Sequence, residues 1–178
     1  MESKLESLKK ELMEYKAFKK RKEFEEKHLE AKLIINNHNK DISELTKEKD
    51  EIIKQIALLN DAIEKKKAEF NELKKFSFFR KRKQHDINEA IDKFNEGINS
   101  WVSMSNNKDK YLLEARTGIE EAKERFYRET NIPFDSFDVT MNAINEKFMN
   151  MNEGVLLSNM DRIAGEIEDK EEKSPSHR

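Results

Sequence analysis

Three aromatic rings and six cations crowd into the stretch from Lys74 to Lys83, with no acid among them. Phe76, Phe78 and Phe79 beside Arg80, Lys81, Arg82 and Lys83 could grip phosphates while stacking on bases, or press into an anionic membrane surface. A structural role competes with both. The rings could plug the open end of a helix pair while the cations offset the negative C-terminal end of the preceding helix. A second basic run, Lys19-Lys20-Arg21-Lys22, is followed at once by Glu23, Glu25 and Glu26. At i,i+3 and i,i+4 spacing on a helix these charges predict mutual pairs and a solvated face.

Other chemistry is thin. Glu25 and His28 have the Glu-x-x-His spacing that di-iron bundles use twice, together with two further Glu on facing helices. Here it occurs once, so neither metal nor cofactor is expected. His38 falls on an apolar stripe and reads as a register-setting polar residue; His85 falls two residues after Lys83, at the tip of the expected helix pair, and His177 in the tail. No phosphate loop, nucleophile elbow or His-containing triad occurs, and Gly97, Gly118, Gly154 and Gly165 are isolated. An enzyme is therefore not expected. Near the C-terminus, Phe137, Met141, Ile144, Phe148 and Met151 form one helical face, with Met149 and Met160 adding soft, adaptable apolar surface. That face either folds back near Phe126 or Ile35 or meets a protein partner.

The elements that carry these residues are written in a heptad pattern. Steps of three and four give Ile35, His38, Ile42, Leu45, Lys49, Ile52, Ile56, Leu59, Ile63, Lys66, Phe70 and Leu73, nine of the twelve apolar. A second stripe runs through Ile87, Ile91, Phe94, Ile98, Trp101, Ser105, Lys108, Leu112, Ala115, Ile119, Ala122 and Phe126, ten of twelve apolar. Stripes of this width, held in phase, describe helices packed along a narrow seam. If the chain reverses near residue 80, the stripes start and stop together, facing Leu59 with Trp101 and His38 with Ala122. The matched length predicts an antiparallel hairpin over residues 31–130, with its tip near 76–85. Ile and Leu alternate in the first stripe as in parallel dimers, a rival that leaves the second stripe unexplained; two hairpins could also associate.

Before the seam, Leu5, Leu8, Leu12 and Tyr15 make a thinner stripe, out of phase with it. A stutter of this kind shifts the supercoil without ending a helix, so one helix is expected from about residue 2 to 75. Residues 1–30 then form an arm whose Leu5, Leu8, Leu12 and Tyr15 need a partner, which points to a homodimer or higher oligomer. The second long helix is expected to start at Asp86 and to end before Pro133. Asp135 is expected to cap a third helix, with a Phe134–Val139 staple and a stop at Gly154. Ser158 opens a short fourth helix, giving a helical segment over 131–170. Residues 171–178 read as a disordered tail.

The bulk numbers agree. Of 178 residues 40% are charged and 35% hydrophobic, with four Gly and two Pro, the mixture long helices use. The net charge of −2 leaves any electrostatic preference to local clusters. Absence of Cys excludes disulfides and thiolate chemistry and fits a reducing compartment. With no apolar run of membrane-spanning length and no signal-peptide core after Met1, a cytoplasmic site without integral membrane association is expected. Abundant Lys and Asn suit an AT-rich bacterial or phage genome. The sequence thus predicts an all-α protein: a long antiparallel coiled-coil hairpin, an extended N-terminal arm and short C-terminal helices. It suits a non-catalytic adaptor or scaffold binding other proteins, with a nucleic-acid module using the tip as the alternative.

Overall fold

The computed structural model describes residues 3–73 and 80–173, and within them the chain is all-α with five helices. These are α1 (Lys4–Lys19), α2 (Arg21–Leu73), α3 (Arg80–Thr130), α4 (Phe137–Phe148) and α5 (Glu153–Lys173); a 3-10 turn at Phe134–Ser136 precedes α4. α2 and α3 pack antiparallel, as their matched stripes predict. Two compact units divide the chain: Met1–Ile35 with Glu120–Arg178, and Asn36–Ile119.

In the Asn36–Ile119 unit the seam follows the heptads. Each stripe position of α2 from His38 to Leu73 is buried or half-buried, while the residues between are exposed apart from Gln55 and Ala62. Ile52, Ile63, Ile87, Leu112 and Ala115 are fully covered; the remaining positions are half-open, as a two-helix seam must leave them. Leu59 packs over Gly97 and His38 over Gly118, where the missing Cβ leaves room for a large side chain from α2. Crossed ion pairs, Lys49 with Asp109 and Lys108 with Glu48 (2.7 Å), span the helices at adjacent positions. Being exposed, such pairs are worth about 0–1 kcal/mol each, and they help fix register more than stability.

The other unit departs from the sequence reading at its first turn of chain. The expected single helix is broken at Lys20, whose backbone (φ −99°, ψ 18°) leaves the helical range while its N–H still bonds the Lys16 and Phe18 carbonyls. Arg21 Nη1 donates to the Phe18 carbonyl at 2.9 Å, and its guanidinium lies 4.5 Å from the Phe18 ring centroid. The phase shift between the Tyr15 and Phe24 stripes is thus absorbed as a break, because α1 packs on α4 and α5. Ser3 caps α1, accepting from Glu6 N–H at 3.2 Å.

Leu8, Tyr15 and Phe18 of α1 share one core with Phe126 of α3, with Phe137, Met141, Ile144 and Phe148 of α4, and with Leu156, Ile163 and Ile167 of α5. Phe148 has no exposed surface and meets the Tyr15 and Phe18 rings at 4.5 and 5.6 Å. Ion pairs Lys9–Glu171 (2.8 Å) and Lys147–Glu14 (2.9 Å) tie α1 to α5 and α4. α3 ends as expected before Pro133, with Asn131 in the left-handed region at φ 60°, a conformation Asn tolerates. Thr130 Oγ1 donates to the Phe126 carbonyl (2.8 Å) and accepts from Ile132 N–H (3.2 Å), satisfying the buried chain reversal.

Several boundaries differ from expectation. α3 is already helical at Arg80, ahead of Asp86. α4 begins at Phe137 after the 3-10 turn, and Ser136 holds its N-cap position. The Phe134–Val139 staple does not form: Val139 is 75% exposed, whereas Phe134 packs on His28 and Phe126. Gly154 lies inside α5, which starts at Glu153; Asn152 Oδ1 accepts from Gly154 N–H at 2.9 Å and caps the helix start. Glu171 to Lys173, expected to begin a disordered tail, continue α5; the rest of that expected tail, residues 174–178, lies outside the described residues.

Candidate functional site

The basic-aromatic cluster is described only in part. Phe76, Phe78 and Phe79 lie outside the described residues; Arg80 to Lys83 form the first turn of α3, and Lys81, Arg82 and Lys83 are exposed. Successive helical residues point about 100° apart, so Lys81, Arg82 and Lys83 fan around the helix rather than converge on one phosphate. Lys83 lines an open cavity with Lys65, Glu69, Glu72, Asp86 and Ile87, a mixed-charge setting.

The two apolar faces reserved for partners are used by the chain itself. Leu8 and Tyr15 are buried, and Leu5 and Leu12 pack partly covered against the same core. The arm's partner is the chain's own α4 and α5. Phe137, Met141, Ile144 and Phe148 are at most 3% exposed, leaving Met151 as the one accessible member of the C-terminal face. Amphipathic stripes from the two ends of the chain cover each other, the cheapest way to remove both from water.

Among the histidines, His28 has the most built surroundings. Its ring stacks on Phe137 (centroids 4.3 Å apart, 21° between planes) and meets Phe134 at 4.7 Å and Phe126 at 5.6 Å. Burial holds its pKa below the ordinary 6.5; Asp138 opposes this and Lys32 adds to it. Glu25 is exposed and does not share that setting. Among the described residues no cluster of three or more His, Cys, Asp or Glu is placed to hold a metal. Among the described residues no helix is long and apolar enough to cross a membrane.

What remains accessible and apolar falls largely off both heptad stripes. Leu29 (59% exposed) and Leu33 (57%) follow each other at i,i+4 on α2, and Ile53, Leu58, Tyr111 and Leu113 are more than half exposed in the Asn36–Ile119 unit. The signal was present in the sequence: apolar residues that no seam requires. A smaller concavity lies between the end of α1 and the α4–α5 connection, where Tyr15, Phe18, Met149, Met151, Leu156, Leu157 and Met160 line a cup of about 210 Å³ together with Lys19, Arg21 and Glu153. The mutual pairs expected for the basic run are largely missing: Lys27 takes Glu23 at 3.4 Å, while no ion pair among the described residues uses Lys19, Lys20 or Lys22. Comparison with known proteins gives no match. No family model, no curated protein and no solved structure resembles the chain.

Proposed function

We propose that the chain is a non-catalytic coiled-coil adaptor or assembly protein that works in the cytoplasm by binding other proteins and by pairing with further copies of itself. The observation that carries this reading is apolar surface left over after the internal seams are filled. Leu29 and Leu33 on α2, and Met149, Met151, Val155 and Leu157 around the α4–α5 connection, are all at least 39% exposed. Isolated exposed apolar residues are ordinary, whereas grouped ones mark contact surfaces.

The alternative reading is nucleic-acid binding through Arg80, Lys81, Arg82 and Lys83, favoured by the exposure of the last three at the start of α3. Two measurements separate the readings. Crosslinking capture from the native host, with and without nuclease, followed by reconstitution from purified components, should yield a protein that elutes with the chain in fixed ratio. Recovery of nuclease-sensitive material alone would move the function to the alternative, and binding would then weaken with salt at a log–log slope of about −0.9 per neutralised duplex phosphate. Light scattering over a hundredfold dilution tests self-association; one monomer mass throughout would remove that element.

A further inference from the structure

We propose that the uncharged middle of the α2–α3 hairpin is the surface on which two copies of the chain pair, face to face about a two-fold axis near Ile53 and Val102. This rests on the self-association within the adaptor reading and gives it a surface and a symmetry. From Gly97 to Asn107 α3 carries no charged residue, the longest such run in a chain of which 40% is charged. The α2 segment opposite is bracketed by Leu59 over Gly97 and by the Glu48–Lys108 pair. From Ile52 to Asn60 its one charge is Lys54. Helix propensity does not account for the run, since Asn, Ser and Gly are weak helix formers, yet α3 continues unbroken through it.

Ile53 is 53% and Val102 42% exposed, and both lie along one edge of the seam. The Lys49–Asp109 pair marks that edge. One heptad from Asp109 is Val102, one heptad from Lys49 is Ile56, and Ile53 stands a turn from both Lys49 and Ile56. Asn99 and Asn106 are exposed on either side of Val102. The missing charge argues for a second copy as the occupant. A two-fold contact sets each residue near the axis against its own counterpart, so a Lys or Glu there would meet like charge; a partner of different sequence imposes no such condition. Asn is self-complementary as well, offering donors and an acceptor from one side chain. With α3 antiparallel to its mate about Val102, Asn99 comes beside Asn106 of the second copy. The band is about 15 Å long and, across two helices, about 20 Å wide. It therefore covers about 300 Å² per copy, below the roughly 800 Å² of a standard interface, and the pairing is expected to be weak and concentration-dependent.

The test is sedimentation velocity on the full chain at rising concentration. The parent should pass from monomer to dimer, with little change across about a tenfold range of salt because no charge lies at the contact. Val102→Glu and Val102→Lys should each weaken pairing about tenfold or more, and mixing the two should restore a dimer with one copy of each. Val102 is exposed, so helical circular dichroism of both variants should match the parent's and report an intact fold. A parent dimer that both variants leave unchanged overturns the proposal and moves self-association to another surface. Variants that weaken pairing without recovery on mixing overturn it too, since the contact is then not two-fold about Val102. A parent that stays monomeric throughout overturns it together with the self-association, and the adaptor reading then stands or falls on the capture experiment. If the parent is monomeric and the variants lose a protein captured from the host, that protein occupies the band and the proposal is wrong.

Discussion

Replacing Gly118 by Ala probes the helix register directly. A Cβ at Gly118 would lie 2.5 Å from His38 Nε2 and 2.7 Å from Cε1, well inside van der Waals contact. Glycine in a helix interior costs about 1 kcal/mol relative to Ala, so with no neighbour the substitution would stabilise by that amount. Overpacking a seam costs about 1–3 kcal/mol; the clash here is with the far end of a side chain that can swing outward, so the lower half applies. Gly118→Ala alone should therefore fall between neutral and about 1 kcal/mol destabilising. With His38→Ala as background the clash is gone, and Gly118→Ala should stabilise by about 1 kcal/mol. The two positions are then coupled by about 1–2 kcal/mol in a double-mutant cycle, read from urea unfolding followed by helical circular dichroism. Gly165→Ala supplies the reference, since a Cβ there meets nothing within 4 Å; it should stabilise by about 0.5–1 kcal/mol. Coupling below about 0.3 kcal/mol would mean that His38 does not lie over Gly118, and the antiparallel register built on that contact would be refuted.

Three further outcomes follow from the same geometry. Phe148→Ala empties the centre of the α1–α4–α5 core and should cost about 3–5 kcal/mol; limited proteolysis should then cut within α1 before any site in the Asn36–Ile119 unit, and an unchanged cleavage pattern would contradict docking of the arm. Because His28 is held below the ordinary 6.5, the unfolded chain takes up a proton at a higher pH than the folded one. Its contribution is therefore fully present above pH 6.5 and is lost as pH falls toward its folded value. His28→Gln should flatten the decline in thermal midpoint over that window, and parallel curves for variant and parent would exclude the effect. Finally, Asp109→Lys places two cations together at the Lys49 crossing and should destabilise by up to about 1 kcal/mol, with most of the loss restored by adding Lys49→Asp; failure of the swap to rescue would argue against that pair.

The heptad pattern alone made the α2–α3 seam legible. A side-chain period of three and four maintained from Ile35 to Leu73, and again from Ile87 to Phe126, leaves no other economical way to remove those residues from water, and equal stripe lengths imply a reversal between them. The stop at Asn131-Ile132-Pro133 was equally legible, because proline restricts the residue before it and Asn tolerates a positive φ. Tertiary structure alone decided what the two chain ends do. Leu8 and Tyr15 look like an interface in need of a partner, and Phe137 to Phe148 like a second one; nothing local in either stripe says that the other is its complement. That choice also created the break at Lys20 and turned Phe134 toward His28 instead of Val139. Contacts across such sequence separations depend on which surfaces meet in space, whereas periodicity records only which face of each helix must be covered. The cup at the α4–α5 connection belongs to the same class: Phe18, Met149 and Leu156 line one cavity only when α1 closes on α5.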